Sequence, residues 1–215
     1  MQQGRLFVLS GPSGAGKGTI CDRVIKEGSA ELSISMTTRA LRGKEIDGVS
    51  YYFVSDEKFD KTIEEGGFLE YAGIYGHRYG TPKAPVLKAM SEGKDVILEI
   101  EMQGAAQVKE NYPDAVLVFV LPPSLAELRE RLIKRNTDSP EQIIKRTEST
   151  LNEIHRIGEY DYYVINGDLD DAVETVKNVI KAVHGDEEAK KAVRKNKVGK
   201  RALKMIKKYD EEALQ

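Results

Sequence analysis

The segment Gly11-Pro-Ser-Gly-Ala-Gly-Lys-Gly-Thr19 constrains this chain more than any other, because of what flanks it. It directly follows the apolar run Leu6-Phe-Val-Leu9 and opens an amphipathic stretch from Gly16 to Lys26. The run reads as a buried strand and the stretch as a helix. Between them the pattern G-x-x-x-x-G-K lets backbone N–H groups curl around a polyphosphate, while the helix N-terminus adds positive potential. Lys17 would reach the β- and γ-phosphates of a bound nucleotide. Gly11, Pro12, Ser13, Gly14, Ala15, Gly16, Lys17, Gly18 and Thr19 are therefore the candidate triphosphate loop. Gly18 stands where a hydroxyl for Mg²⁺ often follows the lysine. A divalent cation here must then lean on phosphate oxygens and water, with Thr19 as the nearest hydroxyl.

The same strand-then-helix rhythm continues. Asp95-Val-Ile-Leu-Glu-Ile-Glu101, Ala115 to Leu121 and Tyr162-Tyr-Val-Ile165 read as further strands. Helices are expected from Ser124 to about Arg135, with Ser124 and Glu127 as a capping box, and from Asp168 to about Val183. Continuous apolar strands alternating with helices predict an α/β fold whose parallel sheet is covered on both faces. Residues 36–81 break the rhythm with Gly, Tyr, Thr and charge, which predicts a small inserted mixed or antiparallel unit. Asn136-Thr-Asp-Ser-Pro140 is a second, shorter interruption.

Composition narrows the class. With 215 residues, 40% hydrophobic and 32% charged, the chain is neither collagenous nor low-complexity. Cys21 is the only cysteine, so no internal disulfide forms, and it reads as a small buried filler. The longest apolar run, Ala115 to Leu121, is far too short to span a membrane. The expectation is a cytoplasmic protein without a membrane partner. His77, His155 and His184 have no metal-ligand spacing. The net charge of −2 conceals an asymmetry: residues 185–215 hold 10 Lys/Arg against 6 Asp/Glu. This basic tail reads as a solvated, partly helical extension with a weak apolar stripe of Val198, Ala202, Leu203 and Ile206. Contact with nucleic acid, an acidic partner or a second subunit stays open for it.

Further motifs follow the loop in a fixed order: Ser35-Met-Thr-Thr-Arg39-Ala-Leu-Arg42, Gly48-Val-Ser-Tyr51-Tyr-Phe, Phe68-Leu-Glu70, Gly76-His-Arg-Tyr79-Gly-Thr81 and Leu98-Glu-Ile-Glu-Met-Gln-Gly104. Together with Gly16-Lys-Gly-Thr19 they make residues 5–183 resemble guanylate kinases of the bacterial type. The resemblance implies ATP-dependent, Mg²⁺-requiring phosphorylation of GMP to GDP, in purine nucleotide metabolism. It implies a five-stranded parallel P-loop sheet (residues 1–35 and 82–184), an inserted GMP-binding domain (36–81) and a lid at about 134–150, with 185–215 as an extension. ATP and GMP are the implied partners, and a homo-oligomer stays open.

The resemblance also assigns residues. Arg39, Arg42, Tyr51 and Tyr79 would hold the GMP phosphate, a dianion that suits a guanidinium clamp. Ser35, Glu70, Thr81 and Glu101 would face guanine, whose N1–H and N2–H₂ donors one carboxylate can accept together. Arg131, Arg135 and Arg146 would close over the phosphates and neutralise the transferring group. Asn166 would contact the adenine side, and Glu99 would join Thr19 near the Mg²⁺ shell. Glu99 and Glu101 stand where the family often has aspartates, and Gly167 where an aspartate often follows the asparagine. A kinase of a phosphorylated sugar is a rival that Ser35 and Glu70 disfavour. A binding module without turnover is another, disfavoured by the intact glycines and Lys17.

Overall fold

The apolar runs become buried strands in the computed structural model of the chain, which describes residues 3–74, 76–134 and 140–214. In chain order, β1 (Leu6–Ser10) leads into α1 (Lys17–Lys26), followed by the short strands β2 (Glu31–Leu32), β3 (Met36–Thr37) and β4 (Tyr52–Phe53). Next come α2 (Asp56–Glu64), β5 (Phe68–Ile74), β6 (His77–Pro82) and α3 (Lys83–Ser91). β7 (Val96–Glu99), α4 (Met102–Asn111), β8 (Val116–Leu121), α5 (Leu125–Lys134) and α6 (Pro140–His155) lead to β9 (Tyr162–Ile165). α7 (Leu169–Val183), α8 (Glu187–Ala192) and α9 (Lys200–Ala213) complete the order.

Five strands form one sheet in the order β2-β7-β1-β8-β9. β2 pairs parallel with β7, and β8 parallel with β9. Every residue of β1 and β8 is buried, as unbroken apolar runs require of strands covered on both faces. β7 stops at Glu99, short of the expected Glu101, which instead occupies the N-cap of α4 in an extended conformation. The segment that breaks the rhythm makes its own four-stranded sheet, β4-β3-β6-β5. That sheet is mixed: β3 pairs parallel with β4, and β6 runs antiparallel to β3 and β5.

The chain packs as two compact units. One comprises Met1–Phe7 and Ala30–Ala115, the other Val8–Ser29 and Val116–Gln215. In the first, α2 starts where the Ser55 hydroxyl accepts from the Lys58 N–H, and it buries Phe59 against Phe68 with ring centroids 4.6 Å apart. In the second, α7 starts where the Asp168 carboxylate accepts from the Asp171 N–H, and it buries Val173, Val176 and Ile180. Ser124 behaves as half of the expected capping box. Its hydroxyl accepts from the Glu127 N–H at 3.1 Å, while the Glu127 carboxylate turns to Arg131. Cys21 is buried.

The tail differs from its expectation as a solvated extension. Ala189, Val193 and Asn196 are buried, and Lys197 forms an antiparallel bridge to Tyr162 on the edge strand β9. The Val198 N–H donates to the Asp161 carbonyl, Asn196 Nδ2 to the Tyr163 carbonyl at 3.0 Å, and the Tyr163 hydroxyl to the Lys195 carbonyl at 2.9 Å. In α9, Ala202 and Tyr209 are buried, whereas Leu203 is 61% exposed. The physical reason is that Tyr209, absent from the apolar stripe, is the anchor. Its ring is buried and its hydroxyl donates to the Pro122 carbonyl. Among the described residues no helix is long and apolar enough to cross a membrane.

Candidate active site

The phosphate loop is shaped by three glycines that nothing else could replace. Gly11, Gly14 and Gly16 have φ of 140°, 89° and 92°, the left-handed region that L side chains rarely adopt. Space forbids a side chain as well. A Cβ on Gly11 would lie 2.3 Å from the Val120 carbonyl oxygen of β8, and one on Gly16 would lie 2.1 Å from Asn166 Nδ2. Gly16 is the N-cap of α1 and no side chain caps it, which leaves the first amides of the helix to a ligand. Lys17 is only 9% exposed, and its ammonium donates to the Gly11 carbonyl at 2.6 Å and the Pro12 carbonyl at 3.2 Å. The charge is thus held over the loop's own backbone. Thr19 is exposed one turn along.

Two of the expected arginines dock on this loop. Arg131 donates from Nη1 to the Ala15 carbonyl at 3.5 Å and from Nη2 to the Asn166 carbonyl at 2.7 Å, and Arg146 donates from Nη1 to Ser13 Oγ at 3.2 Å. Arg135 lies outside the described residues. Asn166 is buried, and its side-chain amide donates to the Ala15 carbonyl at 2.8 Å. It therefore fixes the loop with its side chain and Arg131 with its backbone, a double duty that its place at the end of β9 makes possible.

The first unit carries a cavity of about 130 Å³ lined by Ser35, Tyr51, Thr81 and Glu99, together with Ser33 and Ser50. Thr81 links it to Glu70, donating its hydroxyl to Glu70 Oε1 at 2.6 Å. Glu70 is 7% exposed, and burial pushes its carboxyl above the ordinary carboxylate range, with the Thr81 hydrogen bond working against that rise. Glu70 Oε2 faces Gly104 of α4, where a Cβ would come within 2.9 Å. Gly104 is thus what leaves room for the carboxylate. Glu101 is exposed at the start of α4 and, among the described residues, is not part of the cavity lining.

Arg39 is 7% exposed and held on all sides. Its guanidinium donates to both oxygens of Glu45, at 3.0 and 2.6 Å, and to the Ala40 carbonyl. It also lies 5.5 Å from the centroid of the Tyr51 ring and 5.7 Å from that of Phe53. Glu45, and to a lesser extent Tyr79, raise its already high pKa further, so it is a permanent cation. Arg39 in turn holds the Glu45 carboxyl below the usual range, helped by the Arg42 N–H at 2.8 Å. The Arg42 side chain is exposed, and Tyr51 and Tyr79 pack edge to face with centroids 6.0 Å apart. Glu45 is a residue the sequence reading missed. Its signal was an acid three places after Arg42, which looks like a solvated charge until the chain folds back.

Chemically, the second unit offers an anion cradle with three cationic side chains. The first offers a polar pocket backed by a buried carboxylate and a fixed guanidinium. Comparison with known proteins gives the family. The family model described as guanylate kinase matches residues 3–183. A guanylate kinase of Caldanaerobacter subterraneus subsp. tengcongensis is 54% identical over 180 residues, covering 83% of this chain and 87% of that protein. One from Clostridioides difficile is 46% identical over 213 residues, 99% of this chain and 98% of that protein. A crystal structure of guanylate kinase from Anaplasma phagocytophilum matches with a TM-score of 0.67 at 30% identity, covering 86% of this chain and 89% of that one. With a match that spans the loop, the inserted sheet and the strands around them, the chain belongs to the guanylate kinase family.

Proposed function

We propose that Lys17, Arg131 and Arg146 carry the charge neutralisation in this chain's reaction, the phosphorylation of GMP to GDP by ATP. An oxygen of the GMP phosphate attacks the γ-phosphorus, the bond from that phosphorus to the β,γ-bridging oxygen breaks, and ADP leaves with the electron pair. The attacking phosphate is already an anion, so no general base is needed. The protein's work is in-line positioning and stabilisation of charge on the transferring group. The observation that carries this reading is the docking of all three cations on one loop: Lys17 on Gly11 and Pro12, Arg146 on Ser13, Arg131 on Ala15 and on Asn166 behind it. Gly11 to Thr19 would cradle the ATP phosphates. Arg39, Arg42, Tyr51 and Tyr79 would hold the GMP phosphate, with Ser35, Glu70 and Thr81 at the base. The buried, loop-bound amide of Asn166 favours a positioning role over an adenine contact.

Among the described residues no group of three or more His, Cys, Asp or Glu side chains could hold a metal ion. Such a donor set suits Mg²⁺ that arrives on the ATP phosphates and keeps its water, with the Thr19 hydroxyl and the Glu99 carboxylate as the protein groups near its shell. Bound there, it would withdraw charge from the phosphoryl oxygens. We further read residues 36–81 as the GMP-binding unit, 134–150 as the lid, and the cytoplasm and purine nucleotide recycling as the setting.

The test is Lys17→Ala. It removes the point charge and leaves the backbone cradle, so turnover should fall on the order of 10³-fold with folding almost unchanged. Near-native turnover in the purified variant would refute the assignment.

A further inference from the structure

The segment beyond residue 183 lies outside the matched family model, yet it grips the two helices that carry Arg131 and Arg146. At the start of α5, Tyr209 donates its hydroxyl to the Pro122 carbonyl, Lys208 donates to the Pro123 carbonyl at 3.2 Å, and Glu212 Oε2 accepts from the Leu125 N–H at 2.8 Å. That last bond satisfies one of the orphan amides of the first turn of α5. At the end of α6, Asp210 Oδ1 lies 2.8 Å from Nε2 of His155. α5 is fixed at its N-terminus and presents Arg131 two turns later. α6 is fixed at its C-terminus and presents Arg146 between two and three turns earlier.

We propose that α9 is a positioning strap for phosphoryl transfer: through Tyr209, Asp210 and Glu212 it holds the ends of α5 and α6 so that Arg131 and Arg146 meet the phosphate loop. Among the described residues, these three have as polar partners Pro122, His155, Leu125 and Lys208, none of them in the phosphate loop. Their effect passes through the helices, which behave as short rods, and a misplacement of about 1 Å at a charged group can cost on the order of 10²-fold in rate. The proposal rests on the reading of Arg131 and Arg146 as the cations of the reaction.

The experiment uses the full chain carrying Tyr209→Phe, Asp210→Leu and Glu212→Met together, which removes three polar links and nearly keeps volume. kcat should fall about tenfold while KM for GMP stays within about twofold, because the acceptor residues belong to the other unit. A purely structural role would not move the second readout, the cost of Arg146→Ala. That cost should be several-fold smaller in the triple variant than in the native chain, since an arginine already displaced has less to lose. An unchanged kcat, or an equal cost of Arg146→Ala in both backgrounds, overturns the strap. Should the triple variant fail to fold, Glu212→Met alone decides: a fall in kcat of about threefold at constant KM for GMP supports the proposal, and a native kcat refutes it. If Arg146→Ala leaves the native kcat intact, the assignment of that arginine falls, and the strap is then judged by the kcat of the triple variant alone.

Discussion

In the proposed reading Glu70 sorts bases, which requires its charge to survive burial, and two neighbours work toward this against desolvation. Thr81 donates to one oxygen, and Gly104 leaves the other uncrowded. Guanine offers N1–H and N2–H₂ to the carboxylate together, whereas adenine would turn a lone pair toward it. A site that hydrogen-bonds a substrate group can reject an analogue lacking it by about 10⁴-fold. Glu70→Gln keeps the size and removes the charge, so kcat/KM for GMP should drop and the GMP/AMP ratio should shrink by at least about tenfold. An unchanged ratio would show that Glu70 does not read the base. The same residue sets a pH signature. Burial raises its folded pKa, so its contribution to stability is full below the unfolded carboxylate value and is lost as pH rises through the raised one. Recognition runs the other way, because GMP needs the ionised form. GMP affinity should therefore weaken as pH falls through the raised value, and Glu70→Gln should flatten that dependence in a binding titration.

At the scale of elements, the phosphate loop is a turn whose backbone is dictated from behind. Gly16→Ala would force a side chain into φ +92° and against Asn166 Nδ2, breaking the amide's bond to Ala15 and shifting Arg131. We expect kcat to fall at least about 10²-fold. Gly28→Ala is the control, with φ +73° and nothing within 4 Å of the added methyl. It should cost only backbone strain, about 1–2 kcal/mol in thermal or denaturant unfolding, with kcat intact. Equal kcat losses in both would mean that the loop is not held by Asn166. The long strands and their helices were legible in the sequence because β1, β8 and β9 are apolar runs and α7 has a cap and an amphipathic stripe. β2, β3 and β4 were not legible, since two residues each carry no periodicity and their pairing comes from partners distant in the chain. In the site, the loop could be read from its spacing together with the apolar strand before it and the helix after it. The ion pair of Arg39 with Glu45 could not, because it depends on a fold-back that charge pattern does not reveal.

At the scale of the whole molecule, the tail is where composition misled. A stretch dense in lysine reads as solvated, but an aromatic ring and one bridge to an edge strand outweigh that. A fully buried aromatic side chain is worth about 3–5 kcal/mol against its truncation, and the lysines remain exposed around it. The bridge from Lys197 to Tyr162 also occupies part of the outer edge of β9, a surface that otherwise templates pairing with another chain. A chain ending at Asn196 should therefore show a lower thermal midpoint and concentration-dependent association. Size-exclusion chromatography across a dilution series checks this, and an elution unchanged from that of the full chain with a native midpoint would refute it.

The grip of α9 on α5 and α6 has a consequence for biosynthesis. A ribosome makes the phosphate loop first, the two arginine-bearing helices next and the strap last, and domains fold as their residues emerge. A nascent chain can complete its nucleotide cradle once Asn166 has emerged, while the arginines still wait for a helix not yet translated. Full competence for phosphoryl transfer would arrive only with the final turns of α9, so a stalled or prematurely terminated chain would bind ATP but spend it more slowly.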